Sequence, residues 1–281
     1  MIRNVEGCGR RKDEIMNKTK IDWCDYTWNV VTGCKHDCTY CYAKRIANRF
    51  GGASETHYNE TVGTECQWET GSTGEIHVLE EAVFDVDRGR NAPYPFYFDP
   101  TFHRYRLDEP QRVKVPQKIF VVSMGDLFGA WVPDEWIEQV FKACQQAPQH
   151  TYLFLTKNPY RYMQLHLQGK LPQNSNFWYG TTLTGQGKLP FNCLDFRQTF
   201  VSIEPLLGDM SAKFPFTNIQ WAIVGAQTGP GATKPKPEWV ERIIDQCRGA
   251  GVPLFLKDNL MWHEKIQEFP NRINRGKKKQ A

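Results

Sequence analysis

The sequence predicts an α/β fold, a full or partial TIM-like (β/α) barrel with mainly parallel strands. Three observations carry that expectation. Short apolar runs recur at 28–31, 119–122, 152–155, 177–180, 200–203, 221–224 and 253–256. Helical or loop segments separate them, and strands alternating with helices imply right-handed βαβ units and a parallel sheet. Seven candidate strands suit a barrel, whole or partial, better than a short open sheet. Finally, polar groups stand just beyond run after run: Ser123 and Asp126, Thr156 and Lys157, Thr181 and Thr182, Glu204, Gln227, Lys257 and Asp258. Ligands of parallel α/β folds bind at the carboxyl ends of the strands, so these residues predict one shared site.

Taken in order, residues 1–17 are polar and aperiodic, which reads as a disordered leader, with Met16 as an alternative start. Trp28-Asn-Val-Val forms the first strand, ended by Thr32-Gly33. A helix follows over Tyr42–Phe50, where Ala43, Ile46, Ala47 and Phe50 fall at helical spacing. Residues 51–92 are rich in Gly, Thr, Glu and Asn and read as an insertion within a domain spanning 18–270. Pro133-Asp134 opens a helix whose apolar face carries Trp136, Ile137, Val140, Phe141 and Cys144. Pro237 opens another, with Trp239, Val240, Ile243, Ile244 and Cys247, closing at Gly249. Cys144 and Cys247 on such faces read as small buried thiols. Residues 271–281 hold Lys277, Lys278 and Lys279 and read as a basic, disordered tail.

With 281 residues, 40% hydrophobic and 23% charged, the chain has ordinary globular usage, and no stretch approaches the roughly 18 apolar residues of a membrane span. The first residues lack the apolar segment of a secretory signal, which predicts a cytoplasmic, reducing setting. A net charge of +4 is weak evidence for nucleic-acid binding. The Gly-rich run from Gly225 to Lys234 lacks the spacing of a P-loop and reads as a strand-to-helix loop over the site.

Of nine cysteines, Cys34, Cys38 and Cys41 cluster, while Cys8, Cys24, Cys66, Cys144, Cys193 and Cys247 are scattered. Cys24 reads as a buried thiol or a hydrogen donor. The clustered thiolates are soft ligands suited to iron–sulfur clusters and to zinc. Three of them can hold three irons of a [4Fe–4S] cubane and leave the fourth open. An open iron can chelate the amino and carboxylate groups of S-adenosylmethionine (SAM), whose sulfonium an electron would then cleave. The alternative is a structural zinc or iron–sulfur site in a nucleic-acid-binding or partner protein, with His36 or a distant cysteine as fourth ligand. No second C-x2-C pair is present to supply it.

The Cys34-x3-Cys38-x-Tyr40-Cys41 pattern resembles the signature of the radical SAM superfamily. Ile21-Asp-Trp, Thr27-Trp-Asn-Val-Val-Thr-Gly-Cys, Val121-Val-Ser-Met-Gly-Asp-Leu-Phe, Leu155-Thr-Lys, Ser202-Ile-Glu-Pro-Leu-Leu-Gly, Trp221-Ala-Ile-Val-Gly and Phe255-Leu-Lys extend the resemblance to a phage-borne, radical-SAM-like family of unknown function. Ser123-Met-Gly-Asp126-Leu-Phe and Leu155-Thr-Lys157 are more loosely similar to the spore photoproduct lyase branch. The resemblance implies a [4Fe–4S] cluster on the three cysteines. It implies reductive cleavage of SAM to a 5′-deoxyadenosyl radical that takes hydrogen from a substrate. It places Tyr40 near the adenine, Ser123 and Asp126 at the methionine amino end, and Lys157 and Glu204 along the same cavity. It also implies a flavodoxin- or ferredoxin-type reductant, and the looser similarity points to a nucleotide or nucleic-acid base as substrate. The superfamily's Gly-Gly-Glu segment is absent, and Ser123-Met-Gly-Asp126 stands in its place.

Overall fold

A computed structural model describes residues 16–52, 62–67, 73–85, 87–186, 198–210 and 219–273. In chain order the strands are β1 (Asn17–Lys18), β2 (Tyr26–Trp28), β3 (Val31–Thr32), β4 (Val62–Gln67), β5 (Thr73–Leu79), β6 (Phe84–Asp85), β7 (Arg90–Asn91), β8 (Thr101–His103), β9 (Lys118–Val121), β10 (Thr151–Thr156), β11 (Phe177–Leu183), β12 (Thr199–Ile203), β13 (Ala222–Val224) and β14 (Leu254–Leu256). The helices are α1 (Tyr42–Phe50), α2 (Glu109–Arg112), α3 (Asp134–Gln145), α4 (Tyr160–Leu167) and α5 (Pro237–Ala250).

The fold is α/β around an eight-stranded sheet in the order β1-β2-β9-β10-β11-β12-β13-β14. Every neighbouring pair from β2 to β14 is parallel, and only β1 runs antiparallel, pairing Asn17 with Thr27. Six of the seven expected strands lie in this sheet at their expected places. The first does not survive whole. The run expected over 28–31 divides between two sheets, with Trp28 ending β2 and Val31 beginning β3 of a four-stranded sheet ordered β3-β8-β5-β4. Asn29 and Val30 make the crossing, because Val30 gives its carbonyl to the His103 N–H (2.8 Å) of the second sheet. The expected insertion thus contributes β4 and β5 to this second sheet, which β3 before it and β8 after it complete.

Alternation along the parallel strands sorts their side chains into inner and outer layers. On the outer face, Ile119, Val121, Tyr152, Phe154, Phe177 and Tyr179 pack beneath α3 and α4, against Ile137, Val140, Phe141, Tyr162 and Leu165. Farther along, Val201, Ile203, Ala222, Val224, Leu254 and Leu256 pack beneath α5. The inner face carries Phe120, Leu153, Trp178, Phe200, Ile223 and Phe255 in a third cluster with Trp23. Each of the Val, Leu, Ile and Phe side chains among them stabilises the fold by about 1.5–3 kcal/mol on burial.

The sheet is curled, since the Trp23 ring meets both Phe120 of β9 (centroids 4.7 Å apart) and Trp221 beside β13 (6.2 Å). Gly180 gives Phe200 room inside the curl, because a Cβ there would lie 2.3 Å from its ring. The two ends of the sheet approach through side chains: Asp258 N–H donates to Asp22 Oδ2 (3.1 Å), and Arg45 of α1 donates to the Thr228 carbonyl (3.0 Å).

α5 does not close at Gly249 as expected but runs to Ala250. Gly251 takes the left-handed conformation (φ 65°) and donates to Arg248, the geometry that ends a helix cleanly. The leader and tail expectations lie outside the described residues except at their inner ends. There Met16 and Ile273 are buried. No helix of the described residues is long and apolar enough to cross a membrane.

Candidate functional site

The cysteine loop starts where two backbones touch. Asn29 Oδ1 accepts from Ser123 Oγ (3.1 Å) and the Met124 N–H (3.0 Å), so the turn after β2 is tied to the turn after β9. Gly33 then donates to the Met124 carbonyl (2.9 Å) and bridges Gly125. A side chain fits neither glycine: at Gly33 φ is +84° and a Cβ would sit 2.2 Å from the Asp99 carbonyl oxygen, and at Gly125 it would sit 2.7 Å from that of Gly33. Cys34 follows, its N–H on the Phe98 carbonyl (3.1 Å).

The loop ends as α1 begins. Cys41 is the N-cap, and its Sγ accepts the Lys44 N–H at 3.3 Å, satisfying one of the free donors of the first turn. The helix therefore aims its N-terminus at the thiols. Cys34, Cys38 and Cys41 are all half-buried and free, on one wall of a cavity of about 340 Å³. Burial, and next the Asp126 carboxylate, push the Cys34 thiol above its ordinary range.

Tyr40, Ser123, Asp126, Lys157 and Glu204 line the same cavity as the cysteines, with Trp23, Phe120 and Leu155 as apolar lining. Their environments differ. Lys157 Nζ lies 5.7 Å from the Tyr40 ring centroid, a cation over an aromatic face beside Cys38. Burial and the neighbouring Cys38 raise the Tyr40 hydroxyl above its usual range. Glu204 is paired with Lys257 across β13. Gly225 permits the pair, since a Cβ there would lie 2.9 Å from Lys257 Cδ and 3.0 Å from Glu204 Cδ.

Asp126 is buried, and its acceptor sites are taken. Its Oδ2 accepts from His36 Nε2 (2.8 Å), Thr156 Oγ1 (3.0 Å) and the Lys157 N–H (2.9 Å), and its Oδ1 from the Phe128 N–H (3.0 Å). Burial alone would raise its pKa, but the His36 hydrogen bond and charge, with the Lys157 and Thr156 donors, hold it below the ordinary carboxylate range. The residue thus clamps β9, β10 and the cysteine loop together. Sequence reasoning named Asp126 but missed this role. His36 was visible only as one candidate zinc ligand; here its Nε2 is engaged by Asp126, and its ring stands edge-on to Trp131 (4.7 Å).

Ser123 carries a second, similar duty. Its hydroxyl goes to Asn29, and its carbonyl accepts from the Tyr42 hydroxyl (2.7 Å). Asn29 and Tyr42 each act here through a partner more than 80 residues away. Cys24 is buried beneath Trp23, and burial followed by Asp25 raises its thiol strongly.

Among the described residues no three His, Cys, Asp or Glu side chains form a group that could hold a metal ion. The donor chemistry of the loop is nevertheless three soft thiols facing one cavity, with a helix N-terminus behind them. That set suits an anionic cluster whose irons each take a separate thiolate. No curated protein and no solved structure matches the chain. Residues 18–281 match the family described as "Protein of unknown function (DUF5131)", and the chain belongs to that family.

Proposed function

We propose that this chain is a radical SAM enzyme, with a [4Fe–4S] cluster on Cys34, Cys38 and Cys41 and SAM in the adjoining cavity. One observation carries the reading. Three thiols of one short loop open into a cavity at the carboxyl ends of consecutive parallel strands, where Tyr40, Ser123, Lys157 and Glu204 also converge. The curled sheet, with its ends linked through Asp22–Asp258 and Arg45–Thr228, is read as an incomplete TIM-like barrel. When bound, cluster and SAM would supply a 5′-deoxyadenosyl radical that takes a hydrogen atom from a substrate.

The chain's own residues orient and shield. Lys157 offers a cation to a carboxylate, and Tyr40 a ring to a base. The Glu204–Lys257 pair adds both charges to the cavity lining. Trp23, Phe120 and Leu155 exclude water from the inner end, which protects a reactive intermediate. Asp126 and His36 hold the loop without entering the chemistry. The electron would come from a flavodoxin- or ferredoxin-type protein, and the substrate class considered is a nucleotide or nucleic-acid base.

The test is anaerobic iron–sulfur reconstitution, then incubation with SAM and dithionite and mass-spectrometric detection of 5′-deoxyadenosine. Wild type should yield deoxyadenosine and Cys38→Ala none. Tightly bound zinc with no cluster and no cleavage would overturn the proposal.

A further inference from the structure

Helix α1 starts at the cysteine loop, where Tyr42 and Ala43 line the cavity, and its exposed face runs on from there along the protein surface. Tyr42, Ile46 and Phe50, spaced four apart, are 41%, 38% and 37% exposed. Arg45 and Arg49 lie between them, and the helix carries three basic residues and no acidic one. Apolar groups are thus interleaved with guanidinium groups along one stripe. Tyr42 belongs to both this stripe and the cavity wall.

A second element completes the rim. Arg45 donates to the Thr228 carbonyl, packed over Gly229, where a Cβ would come within 2.6 Å of its Nη2. Gln227 and Thr228 line the cavity, and Gln227 Oε1 accepts the Thr233 N–H (3.3 Å), which brings Lys234 to the same edge. Among the described residues Arg45, Arg49, Lys157 and Lys234 have no carboxylate within ion-pair distance. The nearby Asp37, Asp99 and Glu204 are each already paired with a lysine. Among the described residues the mouth is therefore locally cationic, in a chain whose net charge is +4.

We propose that this rim binds a single-stranded nucleic acid, its phosphates on Arg45, Arg49 and Lys234 and its bases stacked on Tyr42 and Phe50, so that one nucleotide is delivered into the cavity. The inference deepens the radical SAM reading, on which it rests only for what is done to that nucleotide. Cationic grooves with interleaved aromatic rings are the general means of holding single strands. An acidic protein would satisfy the charges, but it would not use a ring shared between the rim and the cavity.

The experiment is fluorescence anisotropy of the full chain with short labelled DNA and RNA oligonucleotides over a range of salt. Three phosphate contacts predict a log–log salt slope of about −2, at about 0.7 per contact. Arg45→Gln combined with Arg49→Gln should reduce the slope by about 1.4 and weaken all sequences alike. Arg49→Gln alone, whose guanidinium lies over the Phe50 ring, should reduce it by about 0.7. Phe50→Ala should weaken binding about tenfold with the slope unchanged. Lys142→Gln, on α3, should alter neither. Absence of oligonucleotide binding, or binding indifferent to both arginines, overturns the inference, as does capture of a flavodoxin-type protein through those arginines with no oligonucleotide bound. SAM cleavage measured on the same preparation separates the two readings. Cleavage without strand binding sinks only this one; strand binding without cleavage sinks only the radical SAM assignment.

Discussion

Replacing Asp126 tests the claim that a single buried carboxylate holds the cysteine loop against the parallel sheet. Asp126→Ala removes the acceptor for four donors at once: His36 Nε2, Thr156 Oγ1 and the backbone N–H groups of Lys157 and Phe128. Two of these bonds, to Thr156 and Phe128, are fully buried, so their donors would find no water in exchange. Removing one partner of a buried, hydrogen-bonded charge network costs about 3–5 kcal/mol. At about 2 °C per kcal/mol for a chain of this size, Tm should fall by about 6–10 °C. Asp126→Asn keeps the shape and can still offer one oxygen to the three donors around Oδ2. It should lose about 1–3 kcal/mol, mainly at Phe128.

The assay is thermal unfolding of the metal-free chain followed by far-UV circular dichroism, so the outcome is independent of cluster loading. The pH dependence supplies a second reading. Because the folded-state pKa of Asp126 is depressed, its stabilisation is complete above the unfolded carboxylate value of about 4 and is lost as pH falls through the folded value. The gap between wild type and Asp126→Asn should hold from neutral pH down to about pH 4 and narrow below it. A Tm loss under about 2 °C for Asp126→Ala, or an alanine variant more stable than the asparagine one, would refute the clamp.

Further outcomes follow from the packing. Gly33→Ala forces a side chain into a left-handed position 2.2 Å from the Asp99 oxygen, so it should unfold the cysteine loop and abolish iron uptake, read by iron content after reconstitution. Thiol mapping by mass spectrometry on the metal-free protein should, among the cysteines whose side chains are described, label Cys38 and Cys41 first. Cys24, Cys144 and Cys247 are buried, and burial followed by Glu268 pushes the Cys247 thiol to about 12, so these three should react only after denaturation. Prompt labelling of Cys247 at pH 8 would contradict the placement of α5 on the sheet.

What could be read without coordinates was local. Continuous apolar runs announced six parallel strands, since strands covered on both faces need apolar residues at successive positions. The Pro-opened faces of α3 and α5 announced buried Cys144 and Cys247. The spacing of Cys34, Cys38 and Cys41 announced three neighbouring thiols, because residues on one short loop need no tertiary contact to be neighbours. The expected strand at 28–31 failed because its apolar pattern is the same whichever sheet receives it. Pairing with β8, opened by the His103–Val30 bond across 73 residues, sends Val31 to the second sheet. Similarly, nothing near Asp126 reveals His36, and nothing near Glu204 reveals Lys257 as its partner. Sequence by itself thus determined six of the parallel strands, the helix faces and the thiol loop. Tertiary structure decided which charges are spent on holding the loop and which remain at the cavity mouth, because a buried carboxylate takes whichever donors packing brings to it.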